Sequence, residues 1–298
     1  MQYKQLGTSD LTISEISFGC MSLGSDHNAN TTLLHRAHDQ GINYFDTADI
    51  YQNGVNEETV GRAFKAMRTQ VIIATKVGNQ LRADGGGLDW NASGNYIREA
   101  VEKSLKRLQT DYIDLYQLHG GTIQDPIDET IEAFESLKQQ GKIRHYGISS
   151  IRPNVIREYI KRSNIVSVMM QYSLLDRRPE EECLALLHQN NIGVLARGSV
   201  AKGLLLGKPA ESYLNYTAAE VSNAAEAIAF VSGSRRTTTA TTLKFILQHP
   251  ALTSAVVGIR TQQQLDDNLR ASSAPSLTPA ELEHLQNAVR INRYDQHR

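Results

Sequence analysis

What the sequence lacks excludes several classes of protein. It has two cysteines, Cys20 and Cys183, in 298 residues. They lie far apart and outside any disulfide or metal-ligand spacing, which excludes a disulfide scaffold, leaves no thiolate metal site to expect, and fits a reducing, cytoplasmic setting. Neither charge sign is in excess: 31 Lys and Arg against 32 Asp and Glu leave a net charge of -1. That balance offers no footprint for nucleic acid and no cationic face for a membrane surface. No run approaches the ~18 apolar residues of a membrane span, and Met1 to Gln5 leads into structured-looking sequence without an apolar signal region. A Gly-x-Gly-x-x-Gly fingerprint is missing after the first candidate strand, which argues against a Rossmann dinucleotide site. Asn215-Tyr216-Thr217 matches a glycosylation sequon and, without an export signal, reads as chance.

What is present is alternation. Tyr3 to Ile13 reads as two short strands around the turn-rich Gly7-Thr8-Ser9-Asp10. Eight short apolar strands follow: 16–19, 42–46, 71–76, 113–119, 143–149, 165–171, 192–196 and 255–257. Between them lie helical stripes such as Leu33, Leu34 and Ala37, closed by Gly41, and Ile97, Val101, Leu105 and Leu108. Asn56 is placed to cap a helix with Glu57 and Glu58 in its first turn and Val60, Ala63, Phe64 and Met67 on its buried face. Pro126 is expected at the first helical position before Ile127, Ile131 and Phe134. Asn79 to Gly94 reads as a long glycine-rich loop carrying the one tryptophan, Trp90, and 207–250 holds at least one helix, ending at Leu243 to Leu247. Thr278-Pro279-Ala280-Glu281 is a capping-box start for a terminal helix. Eight strands alternating with amphipathic helices predict an α/β fold, a (β/α)8 TIM barrel with an N-terminal β-hairpin and a C-terminal extra helix, as one domain over 1–298.

Four polar residues stand where such a barrel carries chemistry, at the carboxyl ends of strands or just beyond: Asp46, Tyr51, Lys76 and His119. Singly each has an ordinary role, as a turn cap, a surface ring, a solvated strand end or a satisfied core histidine. Brought to one face they form an acid-base set. A phenol holds its proton at neutral pH, a lysine ammonium within ~4–6 Å favours the phenolate, and a carboxylate beside that lysine keeps it charged. A neutral His119 would donate a hydrogen bond to a substrate oxygen.

In order and context these four resemble the Asp-Tyr-Lys-His tetrad of the aldo-keto reductase superfamily. The resemblance extends over Gly141 to Ser149, Gly203-Leu204-Leu205, and Gly258-Ile259-Arg260 with Gln264 and Asn268. It implies reduction of aldehydes or ketones to alcohols by an NADPH-dependent oxidoreductase, with Tyr51 as general acid. The partner is a small-molecule carbonyl compound, and the chain a monomer or homo-oligomer. The implied NADPH/NADP+ site takes in Gly19, Cys20, Met21, Asp46, Ser149, Ser150, Gln171, Arg197, Gly198, Ser199, Lys202, Gly203, Gly258, Arg260, Thr261, Gln264 and Asn268. Ser149, Ser150 and Gln171 match positions that hold the nicotinamide carboxamide, and Lys202 a basic residue near the pyrophosphate. Arg260, at a helix start beside Thr261, suits the 2′-phosphate. Two positions depart from the family pattern: Ser150 stands where an asparagine is common, and Arg197 where an aromatic ring usually stacks on the nicotinamide. Tyr51 and His119 are expected to meet substrate, Trp90 either to do so from the loop after the third strand or to pack within that loop, and Gly120-Gly121 to leave the mouth open on that side. Two other readings remain at this level. One is a cofactor-binding regulatory subunit like the potassium-channel β subunits of the same superfamily. The other is a barrel aldolase using Lys76 as a Schiff-base nucleophile.

Overall fold

The computed structural model describes residues 1–298 except 83 and 85. Strands β1 (Tyr3–Gln5) and β2 (Thr12–Ser14) form the N-terminal hairpin, and β3 (Ile16–Gly19) then opens the barrel. The chain continues through α1 (His27–Asp39), β4 (Tyr44–Asp46), α2 (Val55–Phe64) and β5 (Ile72–Val77). A second hairpin, β6 (Asn79–Leu81) with β7 (Leu88–Trp90), precedes α3 (Gly94–Leu108), β8 (Ile113–Leu118) and α4 (Ile127–Gln139). There follow β9 (Ile143–Ser149), α5 (Pro153–Arg162), β10 (Ser167–Gln171), α6 (Cys183–Gln189) and β11 (Gly193–Arg197). The last elements are α7 (Ala218–Ser232), α8 (Thr238–Leu247), β12 (Leu252–Gly258), α9 (Gln262–Ser273) and α10 (Pro279–Asn287). Strands β3, β4, β5, β8, β9, β10, β11 and β12 close into a parallel barrel, the (β/α)8 TIM architecture. Among the described residues no helix is long and apolar enough to cross a membrane.

The two-residue period of the strands decides what enters the barrel. Tyr44, Ala74, Leu115, Met169, Leu195 and Val256 meet inside it, joined from below by Leu6, Leu11 and Ile13 of the hairpin. Each of those six strand residues is followed, two positions on, by one from the next layer up: Asp46, Lys76, Gln117, Gln171, Arg197 and Gly258. An apolar layer thus sits directly beneath a largely polar one at the carboxyl ends. From the far end the N-terminal hairpin seals the barrel. Asp10 in its turn accepts from His145 (2.6 Å) and Arg144 (2.8 Å) of β9, and the His145 hydrogen bond holds the Asp10 carboxyl below its ordinary range.

Several expectations are corrected. Asn79 to Gly94 is not loop alone, since Asn79–Leu81 pairs with Leu88–Trp90 and the Trp90 ring sits close against Gly78 and Gly120. The cap of α2 is Gly54, at φ +91°. Asn56 is buried one step inside α2, where its side-chain oxygen accepts from Thr47 (2.7 Å) and its amide donates to the Cys20 carbonyl (2.8 Å). Glu57 and Glu58 do stand in the first turn of α2, and Glu57 is in addition buried, accepting from Thr75 Oγ1 at 2.5 Å and from Arg107 at 2.6 Å. Met67 falls in a 3-10 turn, Lys65–Gln70, that follows α2. Pro126 is the cap of α4 and not its first residue. The first α-helix within 207–250, α7, is capped by Thr217 in a capping box with Glu220, which gives the sequon threonine a structural role.

Candidate active site

Asp46 and Lys76 come up from adjacent strands, with Asp46 paired in register to Ala74 and Lys76 to Gln117. Lys76 donates to Asp46 Oδ1, to the Thr47 carbonyl at 2.7 Å and to the Tyr51 hydroxyl at 3.5 Å. Tyr51 arrives on a 3-10 turn (Tyr51–Gly54) whose Gln52 and Asn53 take left-handed φ values of 50° and 53°. That tight turn swings the phenol back over the strand ends. The Tyr51 and His119 rings meet edge to face, with centroids 6.0 Å apart. All four expected residues therefore converge.

Their charges are set by burial and by each other. Lys76 is 1% exposed and Asp46 4%, so neither ion is sustained by water. Burial works against the Lys76 ammonium, but Asp46 and then Tyr51 more than offset it and its pKa is raised. Burial pushes the Asp46 carboxyl up, while Lys76 and a 3.2 Å hydrogen bond from Gln117 Nε2 act against that shift. We read the pair as a retained ion pair, since both partners and the Thr47 carbonyl are already in hydrogen-bonding place. His119 is pushed down to about 3, first by burial and then by Lys76 and Arg197, with its buried Nδ1 unpartnered. It is neutral at physiological pH. Two contributors escaped the sequence reading. Gln117 is visible in the sequence as a second polar residue, after Asp114, within β8 and two residues before His119. Asp49, nearly buried with Oδ1 unpartnered, is raised to about 8 by burial and by Glu57; only its neighbours in space reveal it.

Beside the tetrad, Trp90 lies against the loop after β8. Its indole N–H donates to Asp125 at 2.9 Å, and a Cβ on Gly120 would lie 3.1 Å from the ring. The space expected to stay open at Gly120 is thus filled by Trp90, which reaches the residue next to His119. Gly120 itself holds φ +141°, a conformation that favours glycine.

The other expected residues form a shelf around the remaining rim. Gly19 and Gly258 are register partners at the ends of β3 and β12; Cys20 turns its thiol into the core, and Met21 is exposed. Ser149 and Ser150 are buried at the end of β9, with Ser150 Oγ accepting from Arg152 N at 3.2 Å. Arg197 Nη1 donates to Gln171 Oε1 at 3.1 Å, and Gln171 Nε2 to the Tyr213 hydroxyl at 3.0 Å. The backbone then turns sharply: Gly198 is at φ +68°, and Ala201, Lys202 and Gly203 are at 46°, 58° and 91°. Within that turn the Ser199 hydroxyl is buried without a partner. Lys208, absent from the sequence reading, donates to the Lys202 carbonyl at 2.8 Å. Thr261 caps α9 through Gln264 N, while Gln264 Oε1 accepts from Arg260 N at 2.8 Å and Asn268 Nδ2 donates to the Gln264 carbonyl at 2.8 Å. Among the described residues the Arg260 guanidinium and the Lys202 ammonium meet no carboxylate.

The sequence profile of the Aldo/keto reductase family matches residues 15–290. This chain belongs to the aldo/keto reductase family. As a member of that family it is an NAD(P)H-dependent oxidoreductase. It is 52% identical over 307 residues to the "Uncharacterized oxidoreductase YqkF" of Bacillus subtilis, covering 100% of both chains. Against the aldo-keto reductase AKR11C1 from Bacillus halodurans in its holo form the TM-score is 0.94 at 51% identity, over 100% of this chain and 99% of that one. A further relative, the "NADH-specific methylglyoxal reductase" of Escherichia coli, is 35% identical over 229 residues, 70% of each chain.

Proposed function

We propose that the chain reduces aldehydes or ketones with NADPH, Tyr51 acting as the general acid. The observation that carries this is the Lys76 ammonium, set between a buried carboxylate and the Tyr51 hydroxyl 3.5 Å away. A carbonyl oxygen placed between Tyr51 and the neutral His119 accepts two hydrogen bonds. As the oxygen gains alkoxide character it takes the Tyr51 proton, and Lys76 stabilises the phenolate left behind. Asp46, itself held by Gln117, keeps Lys76 charged throughout. When bound, the reduced nicotinamide supplies the hydride.

The shelf fits such a dinucleotide. Among the described residues, a buried hydroxyl without a partner on Ser199 and two exposed cations without carboxylate partners, Lys202 and Arg260, lie along this shelf. Gln171, Ser149 and Ser150 suit the carboxamide, Lys202 the pyrophosphate, and Arg260 with the α9 N-terminus a 2′-phosphate. Since the Escherichia coli relative is named for NADH, the choice of NADPH rests on Arg260. A Schiff-base role for Lys76 is disfavoured, because a raised pKa and an ion pair remove the free amine a nucleophile needs. The complete donor set likewise favours catalysis over a purely regulatory, cofactor-binding subunit. The test is to follow NADPH absorbance with a panel of aldehydes and ketones, for the wild type and for Tyr51→Phe. Absence of NADPH oxidation with every carbonyl would overturn the reading.

A further inference from the structure

We propose that Tyr213 is a positioning residue for Gln171, and that the carboxy-terminal segment holds Tyr213 in place through the Tyr213–Tyr216 turn. The proposal rests on the reading of Gln171 as a ligand of the nicotinamide carboxamide.

Gln171 ends β10 with a long, partly exposed side chain, and such a side chain loses rotamer freedom when it is fixed. Three contacts fix it beforehand. Gly198 leaves room for its stem, since a Cβ there would lie 3.2 Å from Gln171 Cγ. Arg197 Nη1 donates to Oε1 at 3.1 Å, and Nε2 donates to the Tyr213 hydroxyl at 3.0 Å. A reversed amide would set its NH2 against the guanidinium, so these partners select one orientation. Each end of the amide then keeps one unused group, a lone pair on Oε1 and an N–H on Nε2, the complement of a carboxamide.

Tyr213 is itself held from behind. It exchanges backbone hydrogen bonds with Tyr216, at 3.1 and 2.9 Å, across a turn with Leu214 at φ +52°. Tyr216 is 2% exposed and donates its hydroxyl to the Arg290 carbonyl at 2.9 Å. The Arg290 guanidinium lies 4.9 Å from the Tyr216 ring centroid, bonds Glu220 at 2.7 Å, and donates to the Asn215 carbonyl. Beyond Arg290 the segment stays tied to the rim. Asn292 Oδ1 accepts from Arg177 N at 2.9 Å, Tyr294 N donates to Glu181 at 3.3 Å, and the His297 carbonyl accepts from Asn154 N at 3.0 Å. The end of the chain therefore runs from the loop after β11 to the start of α5, just past Ser149 and Ser150, and its hold passes through two tyrosines to one amide.

Two ligands separate the possibilities, titrated calorimetrically into the full chain: NADPH, and adenosine 2′,5′-bisphosphate, which lacks the nicotinamide. Tyr213→Phe keeps the ring and removes the hydroxyl; Tyr216→Phe cuts the link to Arg290; Gln171→Leu is the control for the underlying reading. The expected result is about threefold to tenfold weaker NADPH binding for Gln171→Leu and Tyr213→Phe, the scale of one hydrogen bond, and a smaller loss for Tyr216→Phe. Binding of the bisphosphate should not change, and neither should the thermal melt of either tyrosine variant by more than a few degrees. If Gln171→Leu weakens NADPH while Tyr213→Phe does not, the positioning role is wrong although the cofactor reading stands. Equal weakening of NADPH and bisphosphate by Tyr213→Phe makes the turn a mere support of the loop and overturns the proposal. Wild-type affinity in Gln171→Leu removes the reading of Gln171 itself.

Discussion

The barrel mouth has two charged regions built on opposite plans. Under the tetrad, charge is buried and already paired: Asp46 with Lys76, and Glu57 with Arg107. Along the shelf it is exposed, and Lys202 and Arg260 have no carboxylate partner among the described residues. Buried ions need their partners within the protein, because isolating one costs several kcal/mol. Exposed cations are sustained by water until an anion displaces it. The first plan suits a proton relay that must be ready before substrate arrives. The second suits capture of phosphates whose charge the protein does not supply.

The sharpest break in this contrast is Asp49, a buried carboxyl near the tetrad with no cation in salt-bridge range among the described residues. With its pKa raised to about 8, the folded chain keeps a proton that the unfolded chain releases near pH 4. Its contribution to stability is complete below that pH and is lost as pH rises to about 8, amounting to several kcal/mol on the order of 1.4 per pH unit. Asp49→Asn, which carries no titrating group, should melt at higher temperature than the wild type at pH 8.5, with the gap closing toward pH 4. A gap independent of pH would show that Asp49 is ionised in the folded chain.

Next in size is the relay. Tyr51→Phe should lower carbonyl turnover by about two orders of magnitude or more, with NADPH affinity little changed because the shelf is untouched. Near-normal turnover on a good aldehyde would assign the proton to another donor. On the shelf, Arg260→Ala should weaken NADPH roughly tenfold and leave NADH nearly unaffected, the scale of one charge-assisted contact to phosphate. Equal weakening of both dinucleotides would mean that Arg260 does not read the 2′-phosphate. The smallest effect belongs to Arg197, which stands between the two regions: it bonds Gln171 and its charge helps to lower the His119 pKa. A cation there disfavours the positively charged oxidised nicotinamide, so the chain should bind NADPH several-fold more tightly than NADP+. Arg197→Tyr should narrow that ratio by strengthening NADP+. Dissociation constants for both redox states at one salt concentration check it, and an unchanged ratio discards the idea.

The contrast also marks what could be read without coordinates. Strand ends were legible because a polar residue closing a short apolar run interrupts a two-residue pattern, as at Asp46, Lys76 and Gln171. Gln117 lies inside β8, which also carries Asp114, so it reads as an ordinary buried polar residue until the register sets it beside Lys76. The β6–β7 hairpin was missed because its turn is rich in glycine and its strands are short; Trp90 gains its anchoring value only against Gly120 and Asp125. Asn56 followed capping preference on paper, yet a buried polar link between Thr47 and Cys20 took precedence.

By itself the sequence determined the order of the barrel strands and their helices and which four polar residues stand at or just beyond the strand ends, because periodicity and residue type are local properties. Only the tertiary structure decided which charges are paired. The ion pair of Asp46 with Lys76, the neutral state of His119, the raised pKa of Asp49 and the grip of Arg290 on the Tyr216 turn all depend on distance and burial. Those quantities arise when residues far apart in the chain are packed together and water is excluded between them.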